Sequence, residues 1–201
     1  TTGVVTAEAL EGVVHLGELS LDGRLRPVAG VLPAVLAARR AGARAVVAPS
    51  GNAVEAGLVG GIRIVGAASL RDVLIHHGAQ LEAVPVDPLV GATAEEPTAE
   101  EGDLSDIVGH PEAVEALQVA AAGGHHLMML GPPGAGKTLL ASRLAGLLPD
   151  LEPDAAVEVS SVRSLAGLPA GSALVTRPPV ESPHHSATMA SLIGGGSGLV
   201  R

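Results

Sequence analysis

Eight consecutive residues in the second half of the sequence have the types that bind a triphosphate. They read Gly131-Pro132-Pro133-Gly134-Ala135-Gly136-Lys137-Thr138 and match the pattern G-x-x-x-x-G-K-[ST]. Glycines let the backbone curl so that successive N–H groups point at phosphate oxygens. The Lys137 ammonium would contact the β- and γ-phosphates, and the Thr138 hydroxyl would bind Mg²⁺. We therefore predict that this P-loop and the adjoining Leu139 bind ATP with Mg²⁺, with Lys137 as the catalytic residue.

The predicted surroundings of this loop suit the chemistry. An apolar run, His126 to Leu130, is typical of a strand, and a helix is predicted from Lys137 to about Leu147, ended by Pro149. The start of such a helix adds its positive dipole end to the phosphate site. The alternative is a chance match in a chain with 27 glycines. Because the strand and helix lie where the mechanism needs them, and Lys137 is the sole lysine, we favour phosphate binding.

An apolar pair upstream of the P-loop is a second candidate for nucleotide contact. Ile107 and Val108 stand in the segment Asp106-Ile107-Val108-Gly109-His110. Two apolar side chains before a glycine could form one wall of an adenine pocket. An ordinary entry into the next helix explains the segment equally well, and the residues alone leave both readings open.

The composition limits the class of protein. The 201 residues carry a net charge of −9, which does not fit a surface that is basic throughout for nucleic acid. Cysteine is absent, which suits the cytoplasm, and no run of 18 uncharged apolar residues predicts a membrane span. There is no Phe, Tyr or Trp, so Ala, Val and Leu must fill the core. We expect a cytoplasmic protein without a membrane partner and with a small stability margin.

Residues 1–78 alternate between strand and helix patterns, which favours a packed α/β layer. Strands are predicted at His15–Leu21, Arg24–Val28, Ala45–Ala48 and Ile62–Val65, with a hairpin turn at Asp22-Gly23. Helices are predicted at Val31–Ala41, from an Asn52 cap to Leu58, and from a Ser69 cap through Leu70–His77.

The rest of the chain divides into a linker and a second α/β unit. Residues 79–103 form the predicted linker, because five acidic residues cluster there around Pro97. In residues 104–201, a helix is predicted from Pro111 to about Ala122 and a further strand at Ala156–Val162. The glycine cluster Gly194–Gly198 is interpreted as a hinge or as a second phosphate-facing loop, with the hinge favoured.

Other conspicuous residues have ordinary explanations. The three histidine pairs, at 76–77, 125–126 and 184–185, lack carboxylate or Cys partners at zinc-site spacing. Adjacent side chains also point in different directions, so one pair chelates poorly. Arg177 before Pro178 and Pro179 could be a functional basic group, but a rigid turn is favoured.

Several of these segments together resemble one family. Asp106 to His110, the stretch Ala120 to Leu127, the P-loop, Arg177-Pro178-Pro179 and Pro183-His184-His185-Ser186 look like the magnesium-chelatase-like AAA+ proteins called YifB or ComM. The first part, with Gly17 to Gly23 and Gly30 to Ala34, resembles their N-terminal Lon-protease-like domain. The resemblance implies an α/β fold: the C-terminal part of a Lon-like domain (1–78), the linker (79–103) and the start of a three-layer AAA+ domain (104–201).

The resemblance also carries expectations about activity. ComM-type members are hexameric DNA helicases that promote branch migration during natural transformation, so it implies ATP, a homo-oligomer and DNA as partners. The catalytic lysine of Lon proteases would fall near Ala34, where no lysine exists, so Ser–Lys peptide hydrolysis is not expected. The family's Walker B acids, sensors and arginine finger would lie beyond Arg201. We therefore expect this chain to bind ATP without hydrolysing it.

Two other classes of function stay open at this point. One is a chaperone or protein-remodelling ATPase, with the Lon-like part as a docking module. The other is a remnant of a split gene that has no function of its own.

Overall fold

The computed structural model describes residues 4–89, 102–168 and 171–190. Its helices and strands are as follows. They are α1 (Ala7–Leu10), β1 (Val13–His15), β2 (Glu18–Leu19), β3 (Leu25–Arg26), α2 (Val31–Arg40), β4 (Ala45–Pro49), α3 (Ala53–Gly57), β5 (Arg63–Ala67), α4 (Leu70–His76), α5 (Pro111–Gly123), α6 (Lys137–Leu147) and α7 (Pro153–Leu165). The protein is thus of mixed α/β class, as the sequence predicts.

The described residues group into two compact units. The first contains residues 4–89, 154–168, 171–175 and 188–190, and the second contains residues 102–153 and 176–187. Nearly all of α7 therefore packs with the first unit, although the sequence places residues 104–201 in one segment. The domain boundaries given above stay a prediction. Residues 90–101 of the predicted linker and the glycine cluster Gly194–Gly198 lie outside the described residues.

The first unit is built on a parallel three-stranded sheet in the order β1-β4-β5. Its central strand, β4, is buried at all five positions, as expected for a parallel strand covered on both faces. Val46 and Ala48 pack on one face in a cluster with residues of α2 and α3. Val47 packs on the other face with Ala67 and Val73, the latter from α4. The unit is therefore a helix–sheet–helix sandwich made of small aliphatic side chains.

Local sequence signals explain why several helices begin and end where they do. The predictions for α2, α4, α5 and α6 are confirmed within one residue at each end. Ser69 caps α4 in a full capping box with Asp72, whose carboxylate accepts the Ser69 N–H at 2.9 Å. The predicted strand over Ile62–Val65 is also confirmed, as β5.

The predicted strand His15–Leu21 is wrong in extent, because Gly17 divides it. Gly17 has φ 130°, and a Cβ there would lie 2.9 Å from Cγ of Pro49. The chain turns at this glycine, so β1 joins the parallel sheet while β2 pairs antiparallel with β3. The Asp22-Gly23 hairpin is confirmed, but its return strand is shorter than Arg24–Val28.

Two further predictions fail for identifiable reasons. Asn52 precedes α3 but makes no cap, because its side chain bonds both N and O of Val28 instead. Ala156–Val162 lies inside helix α7, whose buried Ala156, Ser160 and Ser164 are four residues apart and so share one face. Valines alternate in Ala156–Val162, as they do in strands, which explains why its sequence predicts a strand.

The predicted strand His126–Leu130 is likewise absent. A strand needs the backbone of a neighbour, and the sheets of the described residues are formed by strands within residues 13–67. The segment before the P-loop is therefore an unpaired stretch with exposed Met128 and Leu130.

A pair of histidine rings joins three elements of the first unit. Nε2 of His15, at the end of β1, lies 2.8 Å from Nε2 of His77, the C-cap residue of α4. Nδ1 of His77 lies 3.0 Å from the carbonyl oxygen of Ala9 in α1, so this nitrogen donates. Burial and the neighbouring His77 and His76 lower the pKa of His15, and burial with His77, Arg63 and Arg44 lowers the pKa of His76.

We expect the cluster formed by His15, His76 and His77 to make the first unit less stable in mild acid. Because the folded-state pKa values of His15 and His76 lie below 6.5, the unfolded chain binds more protons than the folded chain in this window. The contribution is fully present above the unfolded pKa of 6.5 and is lost as the pH falls through it toward the folded values. Thermal unfolding followed by circular dichroism across this range measures the slope. The double variant His15→Gln, His76→Gln should have a shallower slope, and an unchanged slope would contradict the assignment.

Candidate nucleotide-binding site

The glycine-rich loop of the second unit curls at two of its glycines. Gly134 and Gly136 have φ values of 82° and 77°, in the left-handed region that favours glycine. Gly136 is the N-cap of α6 and offers no side-chain cap to the helix. The first amides of this eleven-residue helix therefore lack a capping side chain and lie where a phosphate can accept their hydrogens.

Lys137 is held directly over the loop. Its Nζ donates to the carbonyl oxygens of Gly131 and Pro132, at 2.9 and 2.8 Å. An ammonium has three N–H donors, so this arrangement fixes its position and leaves one donor for a phosphate oxygen. Thr138 is exposed in the first turn of α6, as is Leu139. The structure thus places the Lys137 ammonium against the first two residues of the loop and leaves the next residue, Thr138, exposed.

The scaffold under the loop consists of two helices. Leu140 is the buried residue of α6, and α5 contributes buried Leu117, Ala120 and Ala121. An ion pair of 3.2 Å joins Arg143 in α6 to Asp106, and this fixes the turn that precedes α5 relative to the P-loop helix. The carboxylate of Asp103 accepts the N–H of Ser105 at 2.7 Å, and hydrogen bonds to Ser105 lower the pKa of Asp103.

Ile107 and Val108 have different surroundings. Ile107 is half-buried, whereas Val108 is 93% exposed. Neither lines the cavity that lies beside the P-loop. Their contact with a base stays a prediction.

The cavity beside the P-loop has a volume of about 390 Å³. It is a cleft lined by α5, the segment before the loop, the loop itself and α6. Its lining residues are His110, Ala113, Ala116, Leu127, Met128, Met129, Leu130, Gly131, Pro132, Ala135, Lys137 and Leu140. A mostly apolar pocket of this size with a few polar groups is typical of small-ligand sites.

Arg177 has a contact that sequence reasoning missed. Its guanidinium donates to the carbonyl oxygens of Leu148 and Ala145 and to Asp150 Oδ1, at 3.2, 3.4 and 3.1 Å. These groups lie at the C-terminal end of α6, where a cation is favourable. The partners of Arg177 are about thirty residues away in sequence. The sequence around Arg177 therefore contains no signal for these contacts and predicts only a rigid turn.

The other candidate residues form no metal centre in the described part of the chain. No group of three or more His, Cys, Asp or Glu side chains there could hold a metal ion. The His184 and His185 rings lie 4.0 Å apart, and Nδ1 of His184 is 2.8 Å from the Ser186 hydroxyl.

Among the described helices, none is long and apolar enough to cross a membrane.

The sequence of the chain is similar to known families and proteins. Residues 103–201 match the family model for magnesium chelatase, subunit ChlI, and residues 2–52 match that for subunit ChlI of Mg-chelatase. An uncharacterized protein of Mycobacterium tuberculosis is 51% identical over 197 residues, which are 96% of this chain and 38% of that protein. Competence protein ComM of Haemophilus influenzae is 41% identical over 95% of this chain and 38% of its own length.

Two more similarities complete the comparison. The protein YifB of Escherichia coli is 37% identical over 96% of this chain and 37% of its own length. An archaeal Lon protease of Archaeoglobus fulgidus is 43% identical over 49 residues, which are 24% of this chain and 8% of that protein. The chain therefore spans less than two-fifths of the length of the ComM and YifB relatives.

Proposed function

Because the chain belongs to the magnesium-chelatase-like family of ComM and YifB, we propose that it binds ATP with Mg²⁺ through the P-loop at residues 131–138 as part of an AAA+ ATPase. The observation that carries this proposal is the Lys137 ammonium, held by two loop carbonyls at the start of an uncapped helix. The proposal extends to the fold. In this proposal residues 1–78 are the C-terminal part of the Lon-like domain, and residues 104–201 are the start of the AAA+ core.

The residues around the loop fit the groups that would bind there. The amides at the start of α6 would donate to phosphate oxygens, and Lys137 would hold the β- and γ-phosphates with its remaining N–H. The exposed Thr138 hydroxyl would be one ligand of Mg²⁺, which neutralises phosphate charge when bound.

We further propose that these 201 residues alone bind ATP without turning it over. Hydrolysis by P-loop enzymes needs a carboxylate that acts on the metal and positions water. None of the described residues that line the cavity beside the P-loop is Asp or Glu. Calorimetry with ATP and Mg²⁺ tests binding, and release of inorganic phosphate tests turnover. A saturable ATP isotherm without phosphate release is expected, and clear turnover would contradict this part of the proposal.

For the complete protein we propose a hexameric DNA helicase that acts in branch migration. The support is the family, which includes a Haemophilus relative named as a competence protein. The net charge of −9 does not favour DNA contact by this part of the protein, so we propose that DNA is contacted elsewhere in the ring. ATPase activity of the complete protein should rise when single-stranded or branched DNA is added.

A protein-remodelling ATPase is the second candidate. The observation in its favour is the 49-residue similarity to a Lon protease, an enzyme that acts on proteins. In that case ATPase activity would rise with unfolded protein and not with DNA. Measuring both stimulations on one preparation separates the two functions.

A further inference from the structure

His110 has a backbone conformation that is uncommon for a residue with a side chain. Its φ of 54° and ψ of 45° lie in the left-handed region, and it is the non-glycine residue with positive φ among those described. Histidine tolerates this region better than most residues, but strain of this kind collects at ligand sites. The side chain makes no capping hydrogen bond to α5. Helix capping therefore does not explain the conformation.

The same residue lines the cavity beside the P-loop. Its position is fixed, because its carbonyl oxygen accepts the N–H groups of Ala113 and Val114, both at 3.0 Å. Of the described lining residues, His110 and Lys137 carry the ionisable side chains, and the others are aliphatic, Met, Pro or Gly. One cavity is thus lined by a candidate phosphate-binding residue and by an exposed residue that carries an aromatic ring.

The composition of the chain makes this ring distinctive. There is no Phe, Tyr or Trp, so histidine supplies every aromatic face that the chain can offer to a planar ligand. Bases stack on aromatic side chains because each base has a π-face. The apolar side chains of Met128 and Met129 belong to the same lining and would contact the rest of the base.

We propose that His110 contacts the base of the nucleotide by stacking its imidazole on the purine ring, while Lys137 contacts the phosphates. This inference rests on the proposed nucleotide function and adds a residue that determines base affinity. It differs from the sequence prediction, which placed the base against Ile107 and Val108.

The test compares two ligands on four proteins. ATP and inorganic tripolyphosphate are titrated by calorimetry, with Mg²⁺, into the wild-type chain and into His110→Asn, His110→Gly and His185→Asn. Asparagine tolerates the left-handed region and glycine adopts it freely, so both keep the backbone while removing the ring. His185→Asn is the matched control, since His185 is an exposed histidine that does not line this cavity.

Both His110 variants should bind ATP about 5- to 100-fold more weakly, the range expected for loss of one base-stacking contact. Tripolyphosphate, which has no base, should bind them as it binds the wild type. Equal losses for both ligands, or no loss for ATP in either variant, would overturn the base contact and leave the P-loop proposal intact. If the wild-type chain binds neither ligand, the proposed function itself fails.

Discussion

Replacing Lys137 by alanine should lower the affinity for ATP by about 100-fold, because a hydrogen bond to a charged group contributes up to ~3 kcal/mol. The variant removes the chain's sole ammonium from a position fixed by two loop carbonyls, at 2.9 and 2.8 Å. Calorimetry with ATP and Mg²⁺ measures the change. The helix amides remain, so weak residual binding is compatible with this expectation.

The matched control is Arg71→Ala. Arg71 is an exposed cation of the first unit that donates to the Glu82 carbonyl at 3.1 Å, and its removal changes the net charge by the same amount. ATP affinity should be unchanged in this variant. If Lys137→Ala kept the wild-type affinity, or if both variants lost the same amount, a specific phosphate contact would be refuted.

Replacing Leu32 by alanine should destabilise the first unit by about 2–5 kcal/mol, the range for removing a large aliphatic side chain from a packed core. Leu32 is 0% exposed and packs in the cluster formed by α2, β4 and α3. In a chain without Phe, Tyr or Trp, few neighbours are large enough to refill the space. A stability margin of only 5–15 kcal/mol is ordinary for proteins, so roughly a third of it would be lost.

Leu21→Ala is the control for this experiment because it makes the same chemical change on the surface. Leu21 lies at the tip of the β2–β3 hairpin and is 110% exposed. Urea unfolding of the three proteins gives the differences in free energy, with the slope checked for a common two-state transition. A loss below about 1 kcal/mol for Leu32→Ala would mean that this cluster does not support the unit.

The helices could be predicted because their signals are local. Ser69 with Asp72, Pro111 at the start of α5 and the Gly-Lys-Thr step into α6 each state where a helix begins. The P-loop was found for the same reason, since its glycines, lysine and threonine are adjacent in sequence. These features depend on interactions between residues that are close in sequence, so the sequence alone is enough to predict them.

Strand predictions were less successful because pairing depends on distant residues. The sequence does not show that Gly17 ends a strand, because the residue that a Cβ there would clash with is Pro49, on another strand. Residues 126–130 have a strand's composition but no partner among the described strands. The valines of α7 alternate along the sequence, which is typical of a strand. The buried residues Ala156, Ser160 and Ser164 instead lie on one face of a helix.

By itself, the sequence determined the glycine-rich loop before α6, the four longest predicted helices and the family to which the chain belongs. Only the tertiary structure brought His110 and Lys137 to one cavity, joined Arg177 to the end of the P-loop helix and grouped α7 with the first unit. The physical reason is the range of the interactions. Caps and turns are decided within a few residues, whereas a cavity or a packed face exists only once remote segments have met.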